Sequence, residues 1–151
     1  MSPQTETWHI SQRLNEFLID AIKEEYFSDT PVSKGRTVGE QLAHLHNVRL
    51  MWLKVAAPDL FASQQKLEKD GISKKSVLAE LKRSADAIGV LLETSIPTGR
   101  IKGFKPHAQA FLGYLIAHEA HHRGQILLAL KQNGHLPDKK TLYGLWEWGS
   151  H

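Results

Sequence analysis

Cysteine is absent from the 151-residue chain, and that gap removes disulfides, thiol nucleophiles and thiolate metal ligands together. Histidine and the carboxylates are left as the strong ligands, and any thiol chemistry must come from a cosubstrate. Long apolar runs are missing too: nothing approaches the roughly 20 apolar residues of a membrane span, and Met1 to Trp8 lacks the basic and apolar stretches of a signal peptide. A cytoplasmic protein with no membrane partner is the expectation. Strand-like alternation, internal repeats and low-complexity segments are also lacking, which leaves an all-α chain. The net charge is +3, from 19 basic and 16 acidic residues. The two signs are interspersed, so the basic stripe of a nucleic-acid footprint is missing and no nucleic-acid partner is expected. With no break in composition, residues 1–151 read as one domain, long enough to bury a core unaided.

Four helical segments are present. The first, about Thr5 to Tyr26, carries Trp8, Leu14, Phe17, Leu18, Ala21 and Ile22 at helical spacing. The second opens on Thr37-Val38-Gly39-Glu40, a capping box, and runs to Ala56 before Pro58. The stretch from Asp59 to Gly71 is polar and reads equally as a loop or a short turn. The third spans about Ser73 to Thr94 and stops before Pro97. The fourth starts near Pro106 and runs to about Gln132, where Asn133-Gly134 reads as a left-handed cap and Pro137 prevents continuation. The tail, about residues 135–151, carries Leu142, Tyr143, Leu145, Trp146 and Trp148. That is too much apolar area for a free end, so it should pack on the bundle or on a partner subunit. A four-helix bundle is the natural architecture.

The fourth segment contains Ala117-His118-Glu119-Ala120-His121-His122-Arg123-Gly124-Gln125. At 100° per residue, Phe111, Leu115, His118, His122, Gln125 and Ala129 fall within about 40° of one direction. His118 and His122 therefore point inward together, about 6 Å apart, a spacing from which two imidazoles can reach one ion. His121 lies off that line, as a flanking residue. The competing reading is a pair of hydrogen-bonded core histidines. A third ligand would favour the metal, and Ala43-His44-Leu45-His46-Asn47 offers two. Rotation does not separate His44 from His46, since each lies about 100° from the apolar stripe. His9, His107, His135 and His151 have no partner at ligand spacing and are expected in solvent. Arg123 should project away from the core and pair with a neighbouring carboxylate, and no role attaches to Glu119. A second apolar row, Leu112, Ile116, Leu127 and Leu130, needs cover from the tail or from a second copy of the chain, and a homodimer is the expectation.

Thr37-Val38-Gly39-Glu40-Gln41-Leu42-Ala43-His44-Leu45 and His118-Glu119-Ala120-His121-His122-Arg123-Gly124-Gln125-Ile126 together resemble the second- and fourth-helix motifs of the DinB-like superfamily. These are metal-binding four-helix bundles that include bacillithiol- and mycothiol-dependent transferases. The resemblance spans nearly the whole chain, Leu136-Pro137 and the aromatic end included. It implies an up-down-down-up bundle with a long crossover between helices two and three, frequently a homodimer, and a metal held by His44, His118 and His122. Carried over in this way, it selects His44 in place of His46.

The expected function is that of a metal-dependent enzyme of thiol S-transferase or hydrolase type. It would use zinc or nickel and a small-molecule substrate, with a low-molecular-weight thiol as possible cosubstrate. Gln125 is the candidate for orienting a ligand or substrate, and His121 for a supporting or proton-carrying role. The alternatives are a non-catalytic, metal-stabilised stress-response protein and a plain interaction module.

Overall fold

A computed structural model describes all residues from Met1 to His151. It contains six α-helices and no strand: α1 Pro3–Asp20, α2 Val38–Ala56, the short α3 Pro58–Phe61, α4 Lys74–Thr94, α5 Ala108–Gln132 and the short α6 Lys139–Gly144. None is long and apolar enough to cross a membrane.

Local chemistry sets most of the helix ends. The Thr37 hydroxyl accepts from the Glu40 N–H while the Glu40 carboxylate accepts from the Thr37 N–H, completing the capping box of α2. Gly134 has φ +77°, which lets the chain turn away from α5 where an L-residue would be strained. Two ends differ from expectation. The first helix stops at Asp20, and Glu24–Ser28 forms a separate 3₁₀ turn. The Lys74 ammonium donates to the carbonyls of Asp20 and Ile22, at 3.1 and 2.9 Å, so a residue more than fifty positions away closes that end. The fourth long helix begins two residues after Pro106, because the His107 ring Nδ1 caps it by accepting from the Ala110 N–H at 3.2 Å. Between Asp59 and Gly71 the chain has the end of α3, an irregular run and one 3₁₀ turn at Lys69–Gly71.

α1 packs on α4 and α5, and α2 packs on the same two helices, which puts α1 and α2 on one diagonal of the bundle. The apolar core falls into two clusters. One gathers Leu18 of α1 and Ile22 just beyond its end, the start of α2 (Leu42), the start of α4 (Val77) and the end of α5 (Ile126, Leu130). The other gathers Trp8 of α1, Leu53 of α2, Ile88 of α4, and Phe111 and Leu115 of α5. The long helices therefore run up, down, down and up. α2 and α4 are parallel, and residues 57–73 return the chain along the bundle between them.

A buried polar layer separates the two clusters. Arg49 and Glu119, 0% and 1% exposed, meet in a two-pronged ion pair, Nε–Oε2 at 2.7 Å and Nη2–Oε1 at 2.8 Å. The remaining donors of Arg49 reach the Leu81 carbonyl, the Ser84 hydroxyl and Gln12 Oε1, and its guanidinium lies 4.7 Å from the Trp8 ring centre. Glu119 also accepts from Asn15, whose own Oδ1 accepts from Arg123 at 2.7 Å. All four long helices contribute to this layer. Two expectations change here. Glu119 is a buried member of the layer, and Arg123 turns inward to Asn15 and makes no direct bond to a carboxylate.

The tail packs on its own chain. A Cβ on Gly144 would come within 2.6 Å of the Phe17 ring, so α6 lies closer to α1 than any larger residue would allow. The His151 ring meets Phe17 edge-on, and Leu145 and Leu127 each pack on the first apolar cluster. Leu130 and Leu112 are buried and Ile116 packs on the second cluster, so the second row of α5 is largely covered within one chain. Tyr143 and Trp146 depart from the expectation: they are 69% and 82% exposed.

Two outcomes follow from these contacts. The Glu93 carboxylate accepts from the Thr5 hydroxyl at 2.5 Å and from the Ser2 hydroxyl and N–H at 2.8 and 3.1 Å. These bonds, that of Thr5 foremost, hold it at about 2, below its ordinary 4.5. The unfolded chain takes up this proton first, so the stabilisation is whole above pH 4.5 and is lost as pH falls towards 2. In thermal melts Glu93→Gln should unfold earlier than the parent at neutral pH, by a margin that closes across that window; a margin unchanged down to pH 2 contradicts the assignment. In urea unfolding, Arg49→Met and Glu119→Leu should each cost about 3–5 kcal/mol by stranding a buried charge, and the double variant less than either. Single-variant losses under about 1 kcal/mol would show the layer to be dispensable.

Candidate metal centre

α2 and α5 run antiparallel and in contact, which sets His44 of α2 opposite His118 and His122 of α5. The ring centres of His44 lie 5.3 Å from His118 and 4.6 Å from His122, and those of His118 and His122 lie 4.5 Å apart. One nitrogen from each ring falls within 4.8 Å of the other two, so the group could hold a metal ion. His122 is buried, while His44 and His118 are half-buried at the edge of the bundle.

All three rings are held below their ordinary pKa. Burial is the main cause for each. The His118 ring and the Arg36 guanidinium add to it at His44, and His121 and Arg36 add to it at His118 against the opposing Glu119 charge. His122 is pushed down to about 4, by burial first and then by the neighbouring His118, His44 and His121 rings with Arg36. Neutral imidazoles, each with one nitrogen lone pair, are the form a metal requires.

The nitrogens differ in their partners. The His122 Nδ1–H donates to Gln41 Oε1 at 2.6 Å, which fixes the tautomer and leaves the lone pair on Nε2. His118 Nδ1 is buried with no hydrogen-bond partner. An orphaned buried nitrogen costs about 1–3 kcal/mol. A cation bound at that nitrogen would remove the cost, and three imidazoles are a donor set that fits a divalent metal.

His46 has the opposite fate. It is fully buried, its Nε2–H donates to the Gln65 carbonyl at 2.7 Å and its Nδ1 accepts from the Ser84 hydroxyl at 3.0 Å. Both nitrogens are satisfied, and the ring ties α2 to α4 and to the crossover. Asn47 continues the tie by exchanging two bonds with the Leu67 backbone, each 3.0 Å. Of the two histidines that rotation leaves open, His44 is the one that stands with the α5 pair.

His121 is exposed with its ring 5.0 Å from that of His122, and Gln125 is half-buried with no side-chain hydrogen bond. Neither joins the three-nitrogen group. Only His107 among the remaining histidines is solvent-exposed. His9 packs against Gly89, His135 stacks on Tyr26 and bonds Asp29 at 2.6 Å, and His151 bonds the Gly144 carbonyl. The sequence reading missed Gln41, although it lies one helical turn before His44, where a side chain shares the histidine's side of α2. Tyr114, one turn before His118 with its ring 6.4 Å away, begins an edge-on group with Trp52, Phe104 and Phe111.

The family model described as DinB family matches residues 4–148, a span that holds all three histidines. No curated protein matches the chain.

The bonding around His122 and His46 generates a spectroscopic expectation. In ¹⁵N NMR of metal-free protein, Gln41→Leu should move the His122 signals away from the Nδ1–H tautomer and leave those of His46 in place. His46→Ala should remove the His46 signals, leave those of His122 in place and lower stability by about 1–3 kcal/mol. A His122 spectrum indifferent to Gln41→Leu would contradict the tautomer assignment.

Proposed function

The chain belongs to the DinB family, and from that premise we propose that His44, His118 and His122 hold a divalent metal, zinc or nickel, in an enzyme of thiol S-transferase or hydrolase type. The observation that carries the proposal is the convergence of three neutral imidazoles at the edge of the bundle, with one buried nitrogen lacking any other partner. The donor set supports a divalent ion and suits zinc and nickel alike. A bound ion would supply Lewis acidity, lowering the pKa of a water or keeping a cosubstrate thiol as thiolate.

The chain's own residues have separate tasks. Gln41 orients His122 through Nδ1 and so presents Nε2. Gln125, with its amide free, orients a bound ligand or substrate. Exposed His121 exchanges protons with solvent beside the centre. The half-buried positions of His44 and His118 favour an open, catalytic centre over a purely structural one. A structural ion would also have little left to pin, because the Arg49–Glu119 pair already joins α2 to α5. The protein is further proposed to work in the cytoplasm and as a homodimer, for which light scattering should give twice the 17.0 kDa chain mass.

Elemental analysis tests the centre. The parent should carry about one metal per chain, and His44→Ala, His118→Ala and His122→Ala should each lose it. His46→Ala should keep its metal, and Gln41→Leu should bind about 10–100-fold more weakly. Metal retained in the triad variants would overturn the proposal. The catalytic reading further requires that chelation abolish turnover of an electrophile with a thiol, or of a hydrolysable substrate, while the protein stays folded. A large fall in melting temperature with no activity in any metal form would support the metal-stabilised, non-catalytic alternative instead.

A further inference from the structure

A cavity of about 590 Å³ lies along the outer side of α2 under the crossover, and one residue of the triad, His44, lines it. His46 and Asn47 build its wall by holding Gln65 and Leu67 of the crossover against α2. Its size is that of a small-molecule site.

The lining combines three features. Val48, Met51 and Phe61 supply apolar area. Four cations, Arg36, Lys54, Lys66 and Lys69, face two acids, Glu40 and Glu68. Lys69 pairs with Glu40 at 3.3 Å, whereas Arg36, Lys54 and Lys66 make no ion pair. Finally, Gln64 Oε1 is buried in this lining with no hydrogen-bond partner, an acceptor left for a ligand's N–H or O–H. Arg36 also ranks among the charges acting on all three histidines, so the positive end of the cavity adjoins the centre.

We propose that this cavity binds the substrate of the three-histidine centre, and that the substrate is a small organic anion with an apolar body, its carboxylate or phosphate held by Arg36, Lys54 and Lys66. The inference rests on the metal-dependent reading given above. Net positive lining favours the acid over its neutral analogue, and His44 on the wall places the anion's reactive end beside the imidazoles.

Isothermal titration and amide NMR test it on full-length protein, both metal-loaded and metal-stripped. The probes are 2-naphthoate, (2-naphthylmethyl)phosphonate and the uncharged 2-naphthamide. At least one acid should bind about tenfold or more tighter than the amide, and its shifts should map to Val48, Met51 and Leu67. Preference between the two acids identifies carboxylate or phosphate as the natural group. The double variant Arg36→Gln/Lys66→Gln, at two exposed positions, should weaken the acid about five- to tenfold and leave the melting temperature in place. Met51→Trp should block binding by filling the cavity. The inference is overturned if the amide binds as well as the acids, if the double variant binds like the parent, or if the shifts map away from α2 and the crossover. Metal content measured on the same samples separates the two readings. Metal bound without acid binding removes only the cavity proposal, whereas acid bound in the cavity of a protein that takes up no metal removes only the metal centre.

Discussion

The buried pair of Arg49 and Glu119 is the constraint on which the rest of the arrangement depends. A guanidinium and a carboxylate with no access to water must meet each other, because either alone would carry a desolvation penalty of several kcal/mol. Their two-pronged contact leaves little freedom in how α5 is rotated about its axis or slid along α2. Glu119 follows His118 directly, and Arg49 lies five positions after His44 on the antiparallel neighbour. Satisfying the ion pair therefore also sets His118 and His122 against His44. The apolar clusters above and below supply most of the cohesion, but apolar contact alone is tolerant of small slides, and the polar layer is not.

What could be read from the sequence was local or periodic. The Thr37 capping box, the left-handed Gly134 and the shared face of His118 and His122 all depend on residues within a turn or two of one another, and the structure contains each of them. What could not be read depended on partners distant in the chain. Glu119 sits beside the apolar stripe of α5, where its partner, seventy residues earlier, makes burial favourable. The end of α1 is closed by Lys74, and Gln41 acquires its role only once α5 arrives with His122. The tail shows the same limit in reverse. Its composition announced packing, and Leu145 and Gly144 do pack, yet Trp146 of the same segment faces solvent.

His44 and His46 show how environment divides two identical side chains. They are separated by one residue and are equivalent by rotation. His46 meets a carbonyl and a hydroxyl and is consumed as a structural tie; His44 meets two other imidazoles and keeps its nitrogens available. The family motif distinguishes them because it records a tertiary outcome that helical periodicity does not contain. The same tie shapes the neighbouring cavity, since His46 and Asn47 fasten the crossover at Gln65 and Leu67.

The polar layer also bears on which changes of length the chain can tolerate. One residue inserted between His44 and Arg49, or between His118 and Glu119, would turn one member of each pair by about 100° and separate the ion pair from the imidazoles it aligns. These short intervals should therefore be closed to insertion and deletion. The crossover beyond its fastening at Gln65 and Leu67 carries no such registration, so its length is free to drift and, with it, the shape of the space beside His44. A bundle of this kind can change what it admits while the spacing of its three imidazoles stays constant.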